Sequence, residues 1–284
     1  MGRRLRSSII ALVSVLFVLV AVGDTVQAQS DDAWKPCPRC QNNAARQAAW
    51  DANNIDGREV DPRDLSGIWG YNGVGGAFRN PPPMTEYGMD RFTETLGELS
   101  EAGRLRFAQG SEQDSSLLNC DPLGYPRLYT YNYGFEFIML PDRVLQFFEW
   151  GHTWRTIWID GRTLPEDPPV PRWLGYAVGR WEGNTFVVES NGYDDRPWIG
   201  PSPVRDGQPG GGWPHSEDMR VVERYTRVDY GTLESELTIF DARVYTEPWV
   251  TPKGTIKLVP GTELWEYFCV PSESEAFNQR FSEN

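Results

Sequence analysis

The chain has 284 residues, of which 39% are hydrophobic and 24% are charged. This composition excludes a disordered or collagen-like protein. It carries 27 basic and 40 acidic residues, a formal net charge of −13, which disfavours nucleic acid and anionic lipid as partners because like charges repel. Aromatic residues are abundant, with 12 Trp, 12 Tyr and 13 Phe. Such side chains line pockets for apolar ligands but more simply fill a core.

The N-terminus has the pattern of a secretory signal. Three arginines precede an apolar run at 9–22, and the small residues Val26 and Ala28 form a cleavage site. The run is shorter than the ~20 residues that a membrane span needs. We therefore expect residues 1–28 to be removed and the mature protein to begin at Gln29. The protein would then be exported, periplasmic or extracellular, without stable membrane insertion after cleavage.

The four cysteines are candidates for disulfides, because export places them in an oxidising compartment. Cys37 and Cys40 form a CxxC pair in a polar segment. A local structural disulfide is favoured there over a redox motif, which would need a βαβ context, and over half of a zinc site. Cys120 and Cys269 then remain to pair with each other.

The rest of the chain divides into an arm and one domain. Residues 29–64 are polar and contain one short helical stretch at 43–53. Residues 65–284 are expected to form a single β-barrel domain. Within it, segment 84–109 is charged with scattered apolar positions, a pattern typical of one or two surface helices.

Short strands dominate the sequence from residue 126 onward. Apolar segments alternate with turn signals about every ten residues, as at Pro141-Asp142 and Asp160-Gly161. Successive hairpins build an antiparallel meander, and a long meander usually closes into a barrel because closure removes exposed edges. The Gly-x-Trp at Gly67 resembles the opening strand of lipocalins. We predict an all-β fold, an antiparallel meander closing into a lipocalin-like barrel of about nine strands, with an N-terminal helical segment.

One connection, residues 191–216, is far longer than the others and rich in Gly and Pro. Connections of this length are usually functional loops or inserts. His215 is a candidate general acid/base, because imidazole titrates near neutral pH and neighbouring carboxylates, here Glu217 and Asp194, can orient it and raise its pKa. The alternative is that His215 and Glu217 only cap the strand that begins near Asp218.

The candidate ligand-binding residues lie around this connection and in the strands. They are Trp198, Trp213, Arg224, Trp181 and Arg155. Glu223 and Arg224 lie in mid-strand and face opposite sides of the sheet. Whichever points inward needs a partner, for which Arg155 and Glu149 are candidates. A structural ion pair is favoured there over a ligand anchor.

Several motifs together resemble an uncharacterised family of secreted bacterial proteins. The motifs are Asp64-Leu65-Ser66-Gly67, Cys120-Asp121-Pro122-Leu123-Gly124-Tyr125-Pro126-Arg127, Trp154-Arg155-Thr156-Ile157-Trp158 with Asp160-Gly161-Arg162, Gly179-Arg180-Trp181-Glu182-Gly183, Pro214-His215-Ser216-Glu217 with Glu223-Arg224, and Tyr245-Thr246-Glu247-Pro248-Trp249. The chain departs from the family at Asn184, where relatives more often have Asp. The resemblance covers roughly residues 62–275 and implies a single domain.

Two classes of function remain. The favoured one is a binding protein that holds a small, partly apolar ligand under the 191–216 connection. The alternative is an acid/base enzyme, a hydratase, isomerase or hydrolase, that uses His215 and nearby carboxylates on the same barrel. The sequence has no Gly-x-Ser-x-Gly nucleophile elbow and no phosphate-binding Gly-rich loop. We therefore expect no cofactor, and no metal because no convergent ligand set is visible. No sequence pattern indicates an oligomeric state.

Overall fold

A computed structural model describes residues 43–70, 78–96, 98–99, 105–106, 114, 116, 119–131, 133–202 and 210–270. All of them belong to the unit Trp34–Asn284. The predicted signal, the Cys37–Cys40 pair and residues 203–209 of the long connection lie outside the described residues.

Strands dominate the described part of the chain. Its two α-helices are α1 (Asn43–Ala52) and α2 (Glu86–Glu94). The strands are β1 (Gly67–Gly70), β2 (Glu98–Leu99), β3 (Leu105–Arg106), β4 (Gly134–Met139), β5 (Arg143–Phe148), β6 (Thr153–Trp158), β7 (Tyr176–Glu182), β8 (Thr185–Asn191), β9 (Arg220–Asp229), β10 (Thr232–Phe240), β11 (Trp249–Val250) and β12 (Gly254–Lys257). In these ranges we find no helix long and apolar enough to cross a bilayer.

One curled sheet contains every strand except β2 and β3. Its order is β1-β4-β5-β6-β7-β8-β9-β10, with β11 and β12 both paired to β10. Trp69 of β1 bridges to Leu258, just after β12, and the backbone N–H of Val259 donates to the carbonyl of Ile68. The nine strands from β1 to β10 and β12 thus form a half-barrel whose ends are in contact. The predicted all-β, barrel-like fold is confirmed.

One strand pair departs from the predicted antiparallel meander. β6 and β7 are parallel, and they pair only through Ile157 with Ala177 and Trp158 with Val178. A tight hairpin cannot join parallel strands, so the chain needs a longer crossover, which residues 159–175 provide. The turn predicted at Asp160-Gly161 begins this crossover instead of a hairpin.

Aromatic side chains fill the interior of the half-barrel. Burial alternates along β9, so that Val221, Glu223 and Tyr225 face inward. The buried aromatic residues include Tyr125, Tyr129, Phe135, Phe137, Phe148, Phe186 and Tyr225. Among the described residues, a void of about 20 Å³ lies beside Tyr129 and Phe135. Side chains therefore occupy the space in which a lipocalin barrel holds its ligand.

The predicted helices are present in part. α1 matches the helical stretch expected at 43–53. α2 begins after Thr85, whose Oγ1 accepts a hydrogen bond from the N–H of Gly88 at 3.0 Å and so caps the helix. The pattern of 84–109 is also compatible with a second helix. The described residues of that range after α2 instead include β2 and β3, which pair with each other.

A disulfide joins the segment before β4 to the C-terminal stretch. It links Cys120 and Cys269, whose Cα atoms lie 5.3 Å apart. This pairing is the one predicted from the sequence.

Candidate functional site

The predicted general acid/base, His215, is a buried residue with 1% of its surface exposed. Its Nδ1–H donates to the carbonyl of Ser216 at 3.1 Å. Burial lowers the pKa of His215, and the hydrogen bond to Ser216 and the nearby Asp241 carboxylate only partly oppose this effect. The imidazole is therefore held neutral inside the fold, which suits a structural histidine better than an acid/base catalyst.

Of the two carboxylates expected beside His215, Asp194 interacts with it electrostatically but is hydrogen-bonded to another residue, and Glu217 lines a separate cleft. Asp194 forms an ion pair with Arg196 at 2.7 Å, and the hydrogen bond from Arg196 lowers the pKa of the Asp194 carboxyl. Glu217 is exposed and lines a cleft of 320 Å³ together with Glu166 and Asp167. Neither His215 nor Asp194 lines that cleft. The structure thus does not bring the three residues into one accessible site.

The described part of the 191–216 connection is a packed hairpin. The N–H of Ile199 donates to the carbonyl of Trp213 at 2.8 Å, and the N–H of Trp213 donates to Gly200 at 2.9 Å. Trp213 is only 8% exposed, stacks on Phe92 at 4.9 Å, and its Nε1–H donates to the carbonyl of Phe78. The indole of Trp213, a candidate ligand-binding residue, therefore packs into the core.

Trp198 also has an internal partner. Its ring lies over the guanidinium of Arg127 at 5.0 Å. Trp198 is half-buried and lines a second cleft of 320 Å³ with Arg91 and Asp195. Close packing explains Gly212, because a Cβ there would lie 1.7 Å from the Trp198 ring.

Arg155 and Glu223 form the buried ion pair that the sequence favoured. Arg155 Nη1 and Nη2 donate to the two Glu223 oxygens at 2.8 and 2.5 Å, and Arg155 Nε donates to Gln146 at 2.8 Å. The hydroxyls of Tyr125 and Tyr225 donate to Glu223 Oε2 at 2.6 and 2.7 Å. Burial raises the pKa of both tyrosines, so they keep the protons that they donate. This network holds the interior of the sheet together.

Arg224 lies on the outer face of the sheet, whereas Trp181 faces the interior, in register with the buried Phe186. Arg224 Nη2 donates to Glu182 at 3.0 Å in an exposed ion pair. Trp181 packs on Phe186 with ring centroids 5.1 Å apart. Neither residue lines the clefts described here.

A much larger cleft, which we call the β6/β7 groove, lies where these two strands separate. Its volume is 820 Å³, within the range of small-molecule sites. β6, the crossover 159–175 and the start of β7 form its walls. The aromatic residues that line it are Trp154, Trp158, Trp173 and Tyr176.

Strand alternation explains why β6 presents tryptophans to this groove. Successive strand residues point to opposite faces. Arg155 and Ile157 are buried in the interior, whereas Trp154, Thr156 and Trp158 are on the outer face. Trp154 is 58% exposed. The groove therefore opens on the outer face of the half-barrel wall, and Arg155 and Ala177 of the buried face also line it where the strands separate.

Arginine side chains cover several of these rings. Arg162 lies 3.6 Å from the ring centroid of Trp158, and Arg172 lies 3.8 Å from that of Tyr176. Arg196 lies 4.2 Å from that of Trp173. Such cation–π contacts are attractive and restrict the rings. These contacts thus restrict the rings of Trp158, Trp173 and Tyr176 in the groove wall.

Comparison with protein-family models, with curated proteins and with solved structures finds no match to this chain. The functional conclusion therefore rests on geometry. The β6/β7 groove combines volume, aromatic lining and restricted rings, and the smaller clefts lack this combination.

Sequence reasoning placed the site at 191–216 and missed most of the residues that line the groove. A signal was present, since Trp154 and Trp158 alternate with the inward Arg155 and Ile157 in one strand. Two tryptophans on the solvent face of a strand indicate an exposed aromatic surface. Their connection with Trp173 and Tyr176 depends on the crossover, which no local pattern showed.

Proposed function

We propose that this chain is an exported binding protein that holds a small, partly apolar molecule in the β6/β7 groove. The observation that carries the proposal is the aromatic lining of a cleft of 820 Å³. The expected position of the ligand moves from beneath the 191–216 connection to this groove. The connection still contributes, because the backbone of its residues 192–194 is hydrogen-bonded to Arg172 in the groove wall.

The energetic basis of binding is the exposed aromatic surface. A ligand that covers Trp154 gains roughly 25 cal/mol per Å² of apolar area removed from water. Side chains that are already ordered lose less conformational entropy on binding. The arginines over Trp158, Trp173 and Tyr176 restrict these rings in the free protein. Outer-wall binding also suits a half-barrel whose interior is already filled.

The Cys120–Cys269 disulfide supports export, because such bonds persist in oxidising compartments. The signal pattern at residues 1–28 supports the same assignment. Kinship with secreted lipocalin-like proteins is part of this proposal and is supported by the barrel-like sheet. The acid/base alternative has no comparable support, since His215, Glu217 and Asp194 do not line a common cleft.

The binding proposal is tested with N-phenyl-1-naphthylamine, a neutral aromatic probe that fluoresces in apolar sites. We expect saturable binding to the full chain. Trp154→Ala removes an exposed ring of the groove, so we expect it to weaken binding about tenfold, roughly the contribution of one aromatic contact. Fluorescence titration measures both affinities.

The matched control is Phe240→Ala, which removes an exposed ring from β10, away from the groove. It should leave the affinity unchanged. Absence of saturable binding to the wild-type chain, or equal losses in the two variants, would refute the groove as the binding site.

A further inference from the structure

The β6/β7 groove differs in charge from the chain as a whole. The described residues that line it include three arginines and neither an aspartate nor a glutamate, although the whole chain has 40 acidic and 27 basic residues. Glu166 and Asp167, which lie in the same crossover, line the separate cleft that contains Glu217. Among the described residues, no carboxylate thus lines the groove itself, and an arginine of its lining that has no carboxylate partner favours an anion.

Two of the three arginines already have carboxylate partners. Arg155 is neutralised by Glu223 in the interior. Arg162 forms an ion pair with Asp160 at 2.5 Å. Arg172 forms no ion pair with any residue that the structure describes. Its positive charge is therefore available to a ligand in the groove.

Arg172 is also held in place. Its N–H donates to the carbonyl of Gly192 at 2.9 Å, and its own carbonyl accepts from Asp194 at 3.0 Å and Gly175 at 3.2 Å. Its guanidinium lies over the Tyr176 ring at 3.8 Å, and the Tyr176 hydroxyl donates to the carbonyl of Val170 at 3.0 Å. Stacking occupies a face of the guanidinium and leaves its in-plane N–H groups free to bind an oxyanion with two hydrogen bonds.

We propose that the ligand of the groove is an amphipathic anion, a molecule with an aromatic or aliphatic body and one carboxylate or sulfonate group, and that Arg172 binds that group. This inference rests on the proposed function and adds the charge of the ligand and the residue that recognises it. Trp154, Trp173 and Leu174 contact the apolar body. Charge pairing and apolar contact lie within one cleft, so both select the same molecule.

Two fluorescent probes that differ by one group test the inference. N-phenyl-1-naphthylamine is neutral, and 1-anilinonaphthalene-8-sulfonate has the same ring system with a sulfonate added. We expect the full chain to bind the sulfonate probe about tenfold more tightly, as a charge-assisted hydrogen-bonded pair provides. Raising the salt concentration should weaken binding of the sulfonate probe alone.

Arg172→Gln should reduce the ratio of the two affinities to about one, because it weakens binding of the sulfonate probe far more than binding of the neutral probe. Arg172→Lys keeps the charge without the planar guanidinium and should give an intermediate preference. The matched control is Arg243→Gln, because Arg243 also lies over a tyrosine ring, that of Tyr87 at 4.4 Å, but does not line the groove. This control should behave as the wild-type chain does.

The two proposals fail in different ways. Equal affinity of the wild-type chain for both probes, or a preference that survives in Arg172→Gln, overturns the anion inference and leaves the binding function standing. Lack of saturable binding of either probe overturns the binding function and the anion inference with it. If Arg172→Gln loses both probes equally, the arginine only maintains the groove, and the anion inference is wrong.

Discussion

At the scale of single residues, His215 shows how burial changes the chemistry that a sequence suggests. A histidine flanked by carboxylates in the sequence is expected to have a raised pKa. Here the ring is inside the fold, edge-on to Tyr193 at 6.3 Å, and loss of water lowers its pKa instead. The acidic neighbours in sequence, Glu217 and Asp218, are exposed.

This lowered pKa predicts a specific pH dependence of stability. The unfolded chain protonates His215 near pH 6.5, before the folded chain does. The free energy of unfolding should therefore decrease as the pH falls below about 6.5, by up to about 1.4 kcal/mol per pH unit, until the lower folded pKa is reached. Urea unfolding between about pH 8 and pH 5 measures this slope.

His215→Gln should flatten the slope in that range, whatever its effect on absolute stability. The control is His152→Gln, because His152 is the exposed histidine of the chain. It should keep the wild-type slope. Identical slopes in the wild-type chain and in His215→Gln would show that His215 does not titrate differently in the two states.

Single residues could be predicted from the sequence where local geometry decided their environment. Strand alternation predicted that Glu223 or Arg224 would point inward and need a partner, and the Arg155–Glu223 pair confirms this. Arg172 could not be predicted, since its position depends on hydrogen bonds to Gly192 and Asp194, residues brought close only by the folded chain.

At the scale of elements, composition was a poor guide to the 191–216 connection. Its Gly and Pro content favoured a loosely packed loop. In the folded chain, Gly211 and Gly212 instead permit close approach, and the N–H of Gly212 donates to Thr95 Oγ1 at 2.9 Å. A segment rich in Gly and Pro can be either mobile or tightly packed. Which of the two it is depends on the residues that surround it in the folded protein.

The packed hairpin predicts that Gly212→Ala destabilises the fold. The added methyl group would overlap the Trp198 ring, and overpacking of this kind costs about 1–3 kcal/mol. The control Gly183→Ala meets no atom within 4 Å but has a φ of +62°, so it should cost only about 1 kcal/mol. Chemical denaturation of both variants compares the losses. A smaller loss for Gly212→Ala than for Gly183→Ala would mean that the hairpin is loosely packed.

The strands themselves were largely predictable, because period-two alternation and turn residues are local signals. The β6–β7 pairing was not. The turn residues Asp160-Gly161 are compatible with a hairpin, and the choice of a parallel partner depends on where residues 159–175 pack. The groove forms because β6 and β7 are parallel. Since the sequence did not predict this pairing, it could not predict the groove either.

At the scale of the whole molecule, the Cys120–Cys269 bond is the longest covalent constraint among the described residues, with a sequence separation of 149. Crosslinks stabilise mainly by restricting the unfolded chain, and more so for longer loops. Replacing both cysteines with serine should lower the free energy of unfolding by up to about 5 kcal/mol. Equilibrium denaturation of the full chain measures the change.

The control for this prediction is the double replacement of Cys37 and Cys40 by serine, which removes the expected short-loop disulfide. The same loop-entropy relation gives about 2 kcal/mol for so short a loop. We expect the Cys120/Cys269 variant to be the less stable of the two. If it is as stable as the Cys37/Cys40 variant or more so, loop entropy does not determine how much these disulfides stabilise the fold.

The position of the groove outside a filled core has a consequence for how this protein can change. In a barrel with an internal cavity, the same side chains determine ligand specificity and stabilise the fold. Here Trp154 and Arg172 are solvent-facing, whereas Glu223 and the two tyrosines that donate to it are buried and do not line the groove. Substitutions on the outer face can therefore accumulate at small thermodynamic cost. The half-barrel offers an evolvable scaffold, in which new ligand preferences arise without redesign of the core.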